Sequence, residues 1–115
     1  MMITSIPLKQ ENEKDKLSVS DMSALNLLSD FFDAIEKDPR INSTHIGVYA
    51  ALLQCWNRQG FPDRLDVFSH ELIGLAKLSS RDTYFKYIRE LSEYGYIRYE
   101  RSFNRNKPSA IYLFR

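Results

Sequence analysis

The sequence predicts a mostly α-helical domain that closes on a small β-hairpin. Three observations lead there. Apolar residues recur at spacings of three and four in separate stretches up to residue 94. The period then drops to two after Gly95. A polar, basic loop, residues 101–108, separates the two alternating segments. The chain has 115 residues, one domain's worth, and its 43% hydrophobic and 13% aromatic residues suffice for a core without staples.

Residues 9–16 are all polar, with charges that cancel. They cannot bury enough apolar surface to offset ordering entropy, so residues 1–17 are expected to form a flexible arm. A first helix is expected from Ser18 or Ser20, where Ser18 and Asp21 resemble a capping box. Its stripe is Met22, Leu25, Leu28, Phe32 and Ile35, with Leu27 and Phe31 broadening it. Asp38-Pro39 stops it, because a residue before proline avoids helical geometry.

A second helix runs from Asn42 or Ser43 to residue 58, with Ile46, Tyr49, Leu53 and Trp56 as its stripe and Gly60 as its stop. Residues 64–68 read as a brief strand, since Leu65 and Val67 alternate with polar neighbours after the turn residues Pro62 and Asp63. Ser69 is expected to cap a short third helix ending at Ala76. Ser79 is expected to cap a fourth, residues 79–94, with Asp82 near its positive end and Tyr84, Ile88 and Leu91 inward. Ile97 and Tyr99 then alternate with Arg98 and Glu100; Ala110, Tyr112 and Phe114 alternate with Ile111 and Leu113. Residues 18–115 therefore read as one domain.

The net charge is only +1, but it is unevenly spread. Residues 1–76 hold seven basic and eleven acidic side chains; residues 77–115 hold nine basic and four acidic. Such asymmetry points to an anionic partner, nucleic acid being the commonest; the alternative is an ordinary solvated surface. Cys55 is the lone cysteine, which excludes an intramolecular disulfide and a multi-cysteine zinc site. His45 and His70 lack ligand spacing, and the four glycines are scattered, so no metal, phosphate-loop cofactor or enzymatic activity is expected. The longest apolar run, residues 48–53, is far short of the roughly 18 residues a membrane span needs. The N-terminus lacks a basic segment followed by an apolar one, so a cytoplasmic location is expected.

The order helix, helix, strand, helix, helix, strand, loop, strand resembles the winged helix-turn-helix plan. The segment Leu91-Ser92-Glu93-Tyr94-Gly95-Tyr96-Ile97 is similar to the signature that ends recognition helices in that superfamily. Leu91 would anchor the helix, Gly95 would end it in the left-handed conformation, and Tyr96 and Ile97 would open the first wing strand. Thr83-Tyr84, Ile88 and Leu91 match the usual spacing before that glycine, whereas the turn Lys77-Leu78-Ser79 has none. The resemblance covers residues 42–115. Residues 41–97 also resemble small winged-helix regulators of bacterial mobile elements, N-terminal domains of replication initiators and phage replisome organisers.

The resemblance implies a protein that binds double-stranded DNA, as a transcriptional regulator or a replication-initiation accessory factor. Helix 79–94 would enter the major groove and the wing, residues 101–108, would meet backbone or minor groove. Arg81, Thr83, Lys86 and Tyr87 are the candidates for base edges, and Arg89 and Arg98 for phosphate. Arg101, Asn104, Arg105, Asn106 and Lys107 are the wing candidates. The competing reading is a protein-interaction module without DNA binding, its helix face solvated and carrying a Lys86–Glu90 pair. Either way, Leu27, Phe31 and Ala34 widen the first stripe enough to suit a homodimer through the first helix. One positive surface made by Lys86, Arg89, Arg98, Arg101, Arg105 and Lys107 would favour DNA, whereas the same cations scattered around the fold would favour the protein-interaction reading.

Overall fold

The structure is a computed structural model and describes residues 19–104 and 106–113. The expected arm, residues 1–17, the Ser18 cap, Arg105 and Phe114 lie outside the described residues. Among the described residues four helices and three strands follow in the expected order: α1 (Val19–Ile35), α2 (Ser43–Arg58), β1 (Leu65–Val67), α3 (Ser69–Ala76), α4 (Arg81–Glu93), β2 (Ile97–Glu100) and β3 (Ser109–Leu113). The fold is mostly helical, with one three-stranded antiparallel sheet.

Helix starts are fixed by local hydrogen bonds. Asn42 caps α2: its Oδ1 accepts from the Thr44 N–H (2.9 Å) and the His45 N–H (3.3 Å). The box is closed by a histidine, since the Asn42 N–H donates to His45 Nδ1 at 3.0 Å. Two expected caps shift by one residue. Ser80, not Ser79, caps α4, its Oγ accepting from the Thr83 N–H at 3.1 Å. Ser69 is already helical, and the α3 start is held instead by Glu71, whose Oε1 accepts from the Phe68 N–H at 3.2 Å.

Helix ends use left-handed residues. Gly95 has φ +90°, and behind it the Tyr96 N–H donates to the Leu91 carbonyl at 2.9 Å. The same wrap closes α3, with the Leu78 N–H on the Ile73 carbonyl at 3.0 Å, but there the left-handed residue is Lys77 at φ 59°. The turn that lacks a glycine thus closes with lysine in glycine's conformation.

β3 is the central strand, flanked by β1 and β2. Leu65 and Tyr99 both register with Ile111. Leu52, Leu65, Leu72, Tyr84, Ile88, Leu91, Ile97 and Ile111 are almost wholly buried and join helices to sheet. Cys55 is buried among them, and burial pushes its thiol pKa up, which makes it a core side chain and a poor nucleophile.

The inward face of α1 is only partly the expected stripe: Leu28 and Ile35 pack against the core as expected, but its centre lies on the residues that broaden the stripe. Leu27 and Phe31 are 2% and 4% exposed, whereas Leu25 and Phe32 are 66% and 46% exposed. The reason is aromatic. Phe31 stacks on Tyr49 with ring centres 4.0 Å apart and meets Tyr96 edge-on at 5.4 Å. After α1 the chain is clamped. The Asp38 carboxylate accepts from the Arg40 backbone N–H (3.0 Å), Nε (2.8 Å) and Nη2 (2.8 Å), and from the Tyr96 hydroxyl. The Arg40 guanidinium lies 4.0 Å over the Tyr94 ring, so the clamp ties the start of α2 to the end of α4. Hydrogen bonds from Arg40 and then Tyr96 hold the Asp38 carboxyl well below the usual carboxylate range. No helix of the described residues is long and apolar enough to cross a membrane.

Candidate functional site

Helix α4 divides its side chains among three neighbours. Tyr84, Ile88 and Leu91 are buried in the core. At 100° per residue, Arg81, Phe85 and Ser92 lie together on one flank, and Thr83, Tyr87 and Glu90 on the other. Asp82, Lys86, Arg89 and Glu93 fall on the outward strip and all four are exposed.

The Ser92 flank meets the β2–β3 hairpin, whose loop is the wing of the sequence reading. Ser92 Oγ accepts from the Tyr99 N–H at 3.2 Å, which moors β2 to the helix. Phe85 then has two guanidinium groups near its ring, Arg81 at 5.6 Å and Arg101 at 5.7 Å from its centre. Arg101 also lies 5.7 Å from the ring of Phe103, a wing residue that is 92% exposed. Between the first turn of α4, the first turn of α3 and the wing is a cleft of about 560 Å³. Arg81, Arg101, Asn104 and Lys107 line it, together with Phe68, Phe85, Tyr99 and Phe103, and no carboxylate does. Among the described residues, Arg81, Arg101 and Lys107 have no carboxylate within ion-pairing distance. The cleft is therefore a positive, aromatic-walled concavity.

The wing loop is pre-shaped by its own side chains. Asn104 Oδ1 accepts from the Asn106 N–H at 2.9 Å, and the Asn104 carbonyl accepts from the Lys107 N–H at 2.9 Å. The Ser102 N–H donates to Ser109 Oγ at 3.2 Å, closing the base of the loop. Asn104 is thus a turn-forming residue as well as a cleft-lining one. Asn106 is exposed beside it and does not line the cleft.

The remaining expected residues lie elsewhere. Arg98 projects from the opposite face of the sheet, 4.0 Å over the Tyr112 ring and 3.5 Å from the Glu100 carboxylate. Its alternation with Tyr99 was the signal for this, because residues at a period of two take opposite faces. Thr83 is bound into the cap, its Oγ1 3.0 Å from Ser80 Oγ. Tyr87 packs edge-on against His45 at 4.6 Å, and its hydroxyl accepts from the Asn42 amide at 3.3 Å. Lys86 and Arg89 share the outward strip with Asp82 and Glu93, so that strip has no net charge. Lys86 does not pair with Glu90; its ammonium lies 5.2 Å from the Tyr87 ring. The five described cations of the six named as a test of one positive surface are therefore split, with Arg101 and Lys107 at the cleft and Arg98 on the far side, which on that measure counts for the protein-interaction reading.

Glu90 has a different partner, one separated from it by 45 positions. His45 is 1% exposed, and its Nε2 lies 2.8 Å from Glu90 Oε1. Because Nδ1 accepts from the Asn42 N–H, Nε2 must hold the ring hydrogen and donate it to Glu90. One imidazole thus caps α2 and pins α4. Local spacing could not reveal this pair. The cleft aromatics left a weak signal, a lone phenylalanine, Phe103, inside an otherwise polar loop. Among the described residues, no cluster of three or more His, Cys, Asp or Glu side chains could hold a metal. No protein-family model, curated protein or solved structure matches the chain.

Proposed function

We propose that the protein is a winged-helix DNA-binding protein, a transcriptional regulator or replication accessory factor. The observation that supports this most is the gathering of Arg81, Arg101 and Lys107 around one acid-free cleft where α4 meets the wing. Cations around one concavity with no carboxylate beside them raise the local positive potential, which attracts phosphate. The start of α4 adds the positive end of a helix dipole to the same place. Arg89, on the outward strip at an angle adjacent to the wing flank, extends the surface along the helix.

With Arg81, Arg89, Arg101 and Lys107 on phosphate, about four counterions are released. The log–log salt slope should then be about −3.6, roughly a 150-fold loss of affinity between 50 and 200 mM salt. Fluorescence anisotropy on duplexes selected from a random pool measures it. Arg101→Ala should weaken all duplexes alike and lower the slope by about one. Absence of binding to any selected duplex at 50 mM salt would overturn the proposal.

A second reading concerns α1. Leu25 and Phe32 are exposed and seven residues apart, so they share one face two turns apart. A twofold pairing of α1 with its counterpart in a second copy would cover both residues on each chain, which supports the homodimer.

A further inference from the structure

We infer that the cleft between α4 and the wing binds one unstacked nucleotide, its base against the aromatic wall and its phosphate among Arg81, Arg101 and Lys107. The inference deepens the DNA-binding reading and rests on it. A continuous duplex offers a protein only phosphates and base edges, because every base face is covered by its neighbours. Rings on the wall of a concave cleft are therefore of little use to an intact duplex, but they suit an unpaired base, whose π-face is free.

Four observations converge on that occupant. The volume, about 560 Å³, lies within the range of small-ligand sites. Phe103 is 92% exposed in a loop that is otherwise polar, and it packs into no core. Arg101 lies beside both Phe103 and Phe85, so a base entering there would meet two rings and a guanidinium. Tyr99 also lines the cleft and adds a further aromatic side chain to its wall. The outward strip of α4, by contrast, opposes two carboxylates to its two cations. The cleft is the more favourable place for nucleic acid on this side of the molecule.

The test uses the full chain and three probes: a blunt duplex, the same duplex with a four-thymidine overhang, and free thymidine monophosphate. The overhang duplex should bind about tenfold more tightly than the blunt one. Phe103→Ala should bring the ratio of the two affinities close to one, and Phe103→Tyr should keep it. An overhang carrying 2-aminopurine should lose fluorescence on binding to the original chain and keep it with Phe103→Ala. Equal affinity for blunt and overhang duplexes overturns the cleft inference while leaving duplex binding standing. Binding of neither duplex nor thymidine monophosphate overturns both. Thymidine monophosphate bound in the absence of duplex binding would keep the nucleotide chemistry of the cleft and identify a free nucleotide as its source. Loss of the ratio in Phe103→Ala with an unchanged melting temperature separates a contact from a folding defect.

Discussion

Lys77 and Gly95 sit in the same backbone conformation at the ends of consecutive helices, yet only one of them is suited to it. A side chain in the left-handed region clashes with its own carbonyl, which glycine avoids. Lys77→Gly should therefore raise stability by about 0.5–1 kcal/mol, net of the extra entropy glycine loses on folding. Gly95→Val should lower it by more than about 1 kcal/mol. No atom lies within 4 Å of a Cβ built at Gly95, so the loss would be a backbone effect. Paired thermal melts check both, and equal shifts of one sign would refute the argument. Gly95 was legible in the sequence because glycine after an apolar helix names its own conformation. Lys77 was not, since nothing in a lysine announces a positive φ. Nor was the full role of the His45 imidazole: its Asn42 partner is local, but Glu90 is brought to it by tertiary packing.

At the level of elements, the bounds of α2, α3 and α4 agree with the sequence reading to within two residues, because caps and stops are local chemistry. The inward face of α1 is not local. Two overlapping stripes, Leu25–Phe32 and Leu27–Phe31, satisfy helical spacing, and the ring of Tyr49 on another helix decides between them. The same holds for the Asp38 clamp, which joins the end of α1 to a tyrosine 58 positions away. Its sign with pH follows from the depressed carboxyl. The clamp is fully present above the unfolded carboxyl's pKa near 4 and is lost as pH falls towards the lower folded value. The melting-temperature gap between the original chain and Asp38→Asn should be constant above about pH 5 and narrow steadily below pH 4. A gap that widens on acidification would contradict the clamp.

For the molecule as a whole, α1 has two duties that deletion would confuse. Its Leu27 and Phe31 belong to the core, so removing the helix would strip cover from Tyr49 and Tyr96 as well as from any partner. Point changes on the exposed face keep the duties apart. If α1 pairs with its copy, the original chain should sediment as a dimer at high concentration. Leu25→Ser with Phe32→Ser should then sediment as a folded monomer. A monomeric original chain at the same concentration would end the homodimer proposal. The candidate site was half legible at this scale. Charge counting placed the cations in the final third, but only the sheet's pleat and the turn of α4 decide which of them meet. Arg101 and Lys107 share the cleft with Arg81, whereas Arg98 is turned away.

The strand order has a consequence for biogenesis. β3 comes after β1 and β2 in the chain, yet it lies between them and supplies the ladder partner of each. During vectorial synthesis α2, α3 and α4 can emerge and pack while β1 waits with open edges, because its partner at Ser109–Leu113 has not been made. A nascent chain arrested before residue 109 would therefore lack all three strands of the sheet at once and expose Leu65, Val67 and Ile97, so the wing assembles last and in one step.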